Sequence, residues 1–186
     1  MSASHADSGS ERGRRRAVAR ELARVTVITV ALVAAYYLLP LSHLNGTALF
    51  VSLGLGLLAL LSFAAWHIWA VLNSDDPSLK AVGGFLVFIP LFLVLTSAWY
   101  YAISRSFPHS FTTGALTKTD SLYFTMTVFS TVGFGDISAA SQLARALVTI
   151  QIVVDLVILG LGVRVLTRAV KVGTARHSAP SPQSED

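Results

Sequence analysis

The chain has 186 residues, of which 53% are hydrophobic and 13% are charged, and its formal net charge is +4. Soluble domains carry about 25% charged residues, so this composition favours an integral membrane protein. The absence of cysteine excludes disulfides, thiol catalysis and cysteine-ligated metal sites. Basic clusters at 12–24 and 164–176 flank the apolar segments. Such clusters indicate the cytoplasmic side of a membrane, and we expect no nucleic-acid partner.

Two apolar segments in the N-terminal part of the chain are long enough to span a membrane. They cover residues 18–39 and 47–72, and two tyrosines lie near the end of the first and two tryptophans near the end of the second. A spanning helix needs about 20 apolar residues, and Tyr and Trp are enriched at membrane interfaces. We therefore expect two membrane helices within residues 17–72. Residues 1–16 are small, polar and basic, which is typical of a disordered tail.

Two further spans are predicted at residues 79–103 and 141–170. Pro90 lies within the first of these, where a membrane helix tolerates proline with a kink. Four spans place both termini and both basic clusters on the cytoplasmic side of the plasma membrane, in agreement with the positive-inside rule. Residues 171–186 end in a Ser- and Pro-rich stretch and are expected to form a second disordered tail.

Between the last two spans lies an apolar stretch that is too short to cross the membrane. It reads DSLYFTMTVFS, residues 120–130, and such a run is typical of a buried or re-entrant helix. Thr119 or Asp120 is the predicted N-cap. The next residues, 131–136, read TVGFGD. Glycines at alternate positions permit dihedral angles that aim successive carbonyls at one axis, and non-helical backbone at membrane depth is tolerated only in buried or water-lined places.

The TVGFGD segment and its flanking helices resemble the selectivity filter and pore of tetrameric potassium channels. The resemblance covers residues 79–170 as outer helix, pore helix, filter and inner helix, and the earlier residues match only generically. It implies an all-α membrane protein with four transmembrane helices, a re-entrant pore helix and an extended filter, assembled as a homotetramer. In this family backbone carbonyls replace the water around K⁺. The corresponding residues here are Thr131, with its hydroxyl, Val132, Gly133 and Phe134, and Gly135 completes the filter.

The same resemblance assigns supporting roles around the filter. Asp136 would lie behind the filter mouth, and Tyr123 and Phe124 occupy the positions of the surrounding aromatic cuff. Tyr123 is placed to offer its hydroxyl to Asp136. Two residues depart from better-known members: Phe134 stands where tyrosine is more common, and Thr127 stands where one bacterial channel has a glutamate paired with the filter aspartate. We therefore expect a less rigidly braced filter.

Asp155 is an acid in the middle of the apolar inner helix. A carboxylate at that depth costs at least about 2.5 kcal/mol, so it should face water or a partner. Helical spacing places it on one stripe with Gln151. The segment also resembles the inner helix of inward rectifiers, which implies a cavity acid that binds internal Mg²⁺ or polyamines. A gapless match to a simpler bacterial channel instead places Asp155 at the hinge position, about one turn away. The alternative to a cavity acid is a buried ion pair or a hydrogen bond to another helix.

Two glycines follow on the same helix. Gly160 and Gly162 are candidates for an inner-helix hinge, and an equally open interpretation is that they are points of close helix packing.

The predicted function is passive, potassium-selective conduction. The expected partners are K⁺ as the permeant ion, membrane lipids and three identical subunits, with Mg²⁺ or polyamines as blockers and no cofactor. Two alternatives stay open: a nonselective cation channel and a non-conducting regulatory membrane subunit. Related potassium transporters carry four filter loops in one chain, and this chain has one. No constellation of nucleophile, acid and base, or of metal ligands, indicates an enzyme.

Overall fold

The computed structural model describes residues 3–39, 47–73 and 77–177. It contains five helices, which we number in chain order: α1 Ala3–Leu38, α2 Thr47–Leu72, α3 Pro77–Ser106, α4 Lys118–Phe129 and α5 Gln142–His177. The described residues form no strand, and an isolated antiparallel bridge joins Phe111 to Ala139. Residues 40–46 and 74–76, which the sequence places in loops between the predicted spans, and residues 178–186 of the predicted C-terminal tail lie outside the described residues.

Within the described part of the chain, two helices are long and apolar enough to cross a membrane. They cover Val82–Ser106 in α3 and Gln142–Arg164 in α5, and a shorter apolar segment covers Gly54–His67 in α2. These spans agree with the outer and inner helices predicted from the sequence. Membrane crossing by α1 and α2 stays a prediction.

The third helix is the centre of the packing. It contacts each of the other four helices, and α4 also contacts α5. Its outer half contributes to one core cluster and its middle to another. The first cluster contains Tyr100, Phe111, Leu116, Phe124 and Ala144. The second contains Leu60, Phe92, Leu93 and Ile158. Because α3 is shared by both clusters, it holds α4 and α5 together and joins α5 to α2.

The helices extend further at both ends of the chain than the sequence predicted. α1 begins at Ala3, whereas residues 1–16 were expected to be a disordered tail. α5 continues to His177, whereas the second tail was expected from residue 171. Arg, Ala and Glu are strong helix formers, and a helix that is already nucleated lengthens at little cost. The helices α1 and α5 therefore continue into the polar segments at the two ends of the chain.

Candidate functional site

The short helix α4 begins with a capping box. Its N-cap is Thr117, which corrects the prediction of Thr119 or Asp120. The Asp120 backbone N–H donates to the Thr117 hydroxyl oxygen at 3.1 Å, and the Thr117 N–H donates to the Asp120 carboxylate at 2.9 Å. The Thr117 hydroxyl also donates to that carboxylate at 2.7 Å. Bonds from the hydroxyl and then the N–H lower the pKa of the Asp120 carboxyl. Two of the free N–H groups at the helix start are thus satisfied within one turn.

One face of α4 packs into the protein core. Ser121, Phe124 and Thr125 are buried on this face. The Phe124 ring contacts the rings of Tyr100 and Phe111 edge to face, with centroids 5.1 Å and 5.4 Å away. Phe124 was predicted to belong to an aromatic cuff around the filter. In the structure this ring joins α4 to α3 and to the loop that follows α3, and its place in a cuff stays a prediction.

The chain leaves α4 by folding back against the last turn of that helix. The Thr131 N–H donates to the Val128 carbonyl at 3.0 Å, and the N–H groups of Val132 and Gly133 both donate to the Thr127 carbonyl at 3.1 Å. Thr127 is buried, and its hydroxyl donates to the Phe124 carbonyl at 2.9 Å. Thr127, which was predicted to support the filter, therefore contacts residues 131–136 through its backbone oxygen. We call these residues the filter segment, after the predicted role.

The backbone of residues 131–136 alternates between the two signs of φ. Thr131, Gly133 and Gly135 have φ values of +59°, +53° and +79°, whereas Val132 and Phe134 do not have positive φ. A positive φ costs a residue with a side chain about 1–2 kcal/mol, and glycine adopts it freely. In a regular strand successive carbonyls point to opposite sides. Alternation of the sign of φ instead turns successive carbonyls towards one side.

The carbonyl oxygens of this segment are free of internal partners. Among the described residues, none donates a hydrogen bond to the carbonyls of Thr131, Val132, Gly133 or Phe134. The neighbouring N–H groups of Val132 and Gly133 are occupied by α4. The segment therefore presents a row of free acceptors, and the N–H groups of its first three residues are held by α4, which is an arrangement suited to a cation.

The side chains of the segment are exposed on the single chain. Val132 is 55% exposed and Phe134 is 69% exposed. The Phe134 ring stacks on the Tyr123 ring, with centroids 6.2 Å apart and an angle of 6° between the planes. Desolvation, followed by the nearby Asp136 carboxylate, raises the pKa of the Tyr123 hydroxyl. The Tyr123 ring therefore lies against the Phe134 ring, with Asp136 close to its hydroxyl, and this contact does not need a hydroxyl on Phe134. The role of Tyr123 in supporting a filter stays a prediction.

The polar stripe of α5 points into the subunit. Gln151 and Asp155 are each 3% exposed. The Gln151 amide nitrogen donates to Asp155 Oδ2 at 3.2 Å and to the Thr125 carbonyl of α4 at 3.4 Å. The Tyr100 hydroxyl of α3 donates to Gln151 Oε1 at 2.6 Å. The prediction that Asp155 lines an open cavity is therefore corrected, since this polar group is enclosed between α3, α4 and α5.

Tyr100 is a member of this network that the sequence did not single out. It lies in a run of three aromatic residues at 99–101 that was interpreted as an interface girdle. The sequence does not distinguish these two roles, because aromatic residues at a membrane interface and buried aromatic residues are of the same types. The preceding contact with Gln151 becomes evident only when α3 and α5 are packed together.

The two glycines of α5 differ in their surroundings. A Cβ atom added at Gly162 would lie 3.1 Å from the Phe85 ring of α3, whereas one added at Gly160 would meet nothing within 4 Å. Gly162 is thus a close packing point between α3 and α5. The helix is continuous through both glycines, and a hinge there stays a prediction.

Comparison with known proteins agrees with this arrangement. A family described as "Ion channel" matches residues 88–172. The match begins within α3 and includes α4, the exposed segment 131–136 and most of α5. The two core clusters and the network around Gln151 therefore lie largely within the matched region. Neither a curated protein nor a solved structure matches the chain.

Proposed function

We propose that the protein is a potassium-selective channel in which residues 131–135 form the filter. The observation that carries the proposal is the alternating backbone of Thr131, Gly133 and Gly135, which leaves successive carbonyls free of internal hydrogen bonds. The match of residues 88–172 to an ion channel family supports it, and that family includes potassium channels. Carbonyl oxygens would replace the hydration shell of K⁺ as it enters.

The surrounding contacts favour a cation. The N–H groups of Val132 and Gly133 donate to the Thr127 carbonyl and are thus kept away from an ion held by the opposite side of the segment. The C-terminal end of α4 directly precedes this segment. A helix C-terminus carries about half a negative charge, which stabilises a partly dehydrated cation near it.

The proposed assembly is four identical chains around one axis. One chain supplies a single filter segment, and a ring of carbonyls needs several copies. The exposed side chains of that segment and of α5 are strongly apolar, as at Phe134, Val153 and Leu161. Neighbouring copies and membrane lipids would cover this surface. The basic clusters place both termini on the cytoplasmic side of the plasma membrane under this proposal.

Reversal potentials measured on purified protein in liposomes test the selectivity. In opposed K⁺ and Na⁺ gradients, we expect the reversal potential to follow the K⁺ gradient. Gly133→Ala should lower the ratio of K⁺ to Na⁺ permeability, because φ of +53° strains alanine by about 1–2 kcal/mol. Gly54→Ala is the matched control, since Gly54 lies within α2 with open space around it.

Two outcomes would contradict the proposal. Equal permeability to K⁺ and Na⁺ in the wild-type protein would favour a nonselective cation channel. Absence of any flux, with a tetramer verified by its mass in detergent, would favour a non-conducting membrane subunit.

A further inference from the structure

The outer end of α1 is bonded to the first residues of α4. Tyr36 is 2% exposed, and its hydroxyl donates to the Lys118 carbonyl at 2.8 Å. The same hydroxyl oxygen accepts a hydrogen bond from Ser97 Oγ of α3 at 2.9 Å. The Tyr37 hydroxyl lies 3.1 Å from Thr119 Oγ1. A single buried hydroxyl thus joins α1, α3 and α4 at the start of the short helix.

Lys118 completes this junction from the side of α4. Its ammonium group donates to the carbonyls of Tyr37 and Leu39 at 2.8 Å and 2.7 Å. It also lies 5.9 Å from the centre of the Tyr36 ring, within the range of a cation–π contact. The last carbonyls of a helix lack partners within the helix and carry partial negative charge. Lys118 therefore caps α1 and at the same time fixes its own helix, α4, to that cap.

Nothing in the ion channel match accounts for this junction, since Tyr36, Tyr37 and Leu39 lie before residue 88. The junction also reaches the filter segment along a short, stiff path. Lys118 begins α4, and Thr127 near its other end accepts the N–H groups of Val132 and Gly133. A helix of 12 residues is about 18 Å long, and its backbone hydrogen bonds connect one end to the other.

We propose that the end of α1 is a clamp that positions α4 and, through Thr127, the backbone of the filter segment. Tyr36 and Lys118 are positioning residues in this proposal. The consequence for ion selection rests on the proposed channel function, whereas the clamp itself is a statement about the mobility of residues 118–133. This gives α1 a mechanical role at the filter.

Amide hydrogen exchange on the purified full chain tests the clamp without any current measurement. Tyr36→Phe removes one hydroxyl, and Lys118→Met removes both ammonium bonds. A hydrogen bond inside a membrane protein is worth about a threefold change in stability on average. Each of these variants loses two hydrogen bonds. We therefore expect amide exchange to rise about tenfold at residues 118–123 and also at residues 131–133.

Three further variants keep the test specific. Lys118→Arg retains a cation at the end of α1 and should restore wild-type exchange. Tyr37→Phe removes only an exposed hydroxyl and should raise exchange about threefold. This variant replaces Tyr36→Phe in the test if Tyr36→Phe does not fold. Tyr101→Phe is the matched control, because this buried tyrosine has no hydroxyl hydrogen bond among the described residues.

The readings separate the clamp from the channel proposal. Faster exchange at 118–123 with unchanged exchange at 131–133 would overturn the clamp, because it would show an anchor that does not reach the filter segment. An equal rise in Tyr101→Phe would overturn it as general destabilisation. The variants could show faster exchange at both places while the wild-type protein does not select K⁺. That result would support the clamp and contradict only the proposed selectivity.

Discussion

Asp155→Asn removes a formal charge from the interior of α5 with almost no change in volume. The side chain is 3% exposed, Oδ2 accepts from the Gln151 amide at 3.2 Å, and Oδ1 has no partner among the described residues. A charge at the centre of a membrane helix costs about 2.5–3.5 kcal/mol, and a hydrogen bond there returns about 0.6 kcal/mol on average. Asparagine keeps an oxygen for Gln151. We therefore expect Asp155→Asn to be more stable by about 2–3.5 kcal/mol, with the lower value if the bond from Gln151 is lost.

The measurement is unfolding of the purified protein in detergent, followed by the fluorescence of its tryptophans. Asp136→Asn is the matched control, because it makes the same chemical change at an exposed residue outside the helices and should alter stability little. A loss of stability in Asp155→Asn would refute the reasoning. It would show that the carboxylate has a strong partner in the assembled protein.

The same variant tests which way α5 faces in a conducting channel. With Asp155 enclosed, Asp155→Asn should leave block by internal Mg²⁺ unchanged. Val157 lies two residues further along, about 200° around the helix, and is 56% exposed. Val157→Asp places a carboxylate on the exposed face and should increase the block. Weaker block in Asp155→Asn would show that its carboxylate is open to the conduction path.

Two other predictions concern helix packing and capping. In Gly84→Ala the new Cβ would overlap the His67 ring, whereas in Gly83→Ala it would lie 3.6 Å from Glu21 Oε1. We expect Gly84→Ala to lower unfolding stability by about 1–3 kcal/mol and Gly83→Ala to change it little. Asp120→Asn should weaken the cap by about 1 kcal/mol at neutral pH. Because Thr117 lowers the pKa of Asp120, this difference should vanish as the pH falls through that lowered value; a difference independent of pH would contradict the role of the carboxylate.

The backbone conformation at Gly133 and Gly135 could be predicted from the sequence because its constraint is local. Glycine at 133 and 135 is the residue that adopts positive φ without strain, and both positions have it. The helix bounds of α2 were predicted for the same kind of reason, since its apolar run is continuous from Thr47 to Leu72. Local patterns of this kind do not depend on which surfaces later meet.

The direction of Asp155 could not be predicted, because helical spacing defines a stripe without saying what the stripe contacts. α5 is apolar on nearly every side, so hydrophobicity does not separate its core, lipid and subunit faces. The resemblance to inward rectifiers favoured a cavity, and the structure shows the stripe against Tyr100 and the Thr125 carbonyl. Whether the stripe faces a cavity or the interior of the subunit depends on contacts between distant parts of the chain.

The burial of Asp155 changes where charge selection has to occur in the proposed channel. Between residues 146 and 163 of α5, Asp155 is the one charged side chain, and it is enclosed. The exposed face of this segment is apolar, as at Val153 and Val157. Such a surface offers a cation no ligand, whether lipids, neighbouring copies or water cover it. In the proposed channel the attraction for cations must then come from the carbonyls of residues 131–134 and the C-terminal end of α4.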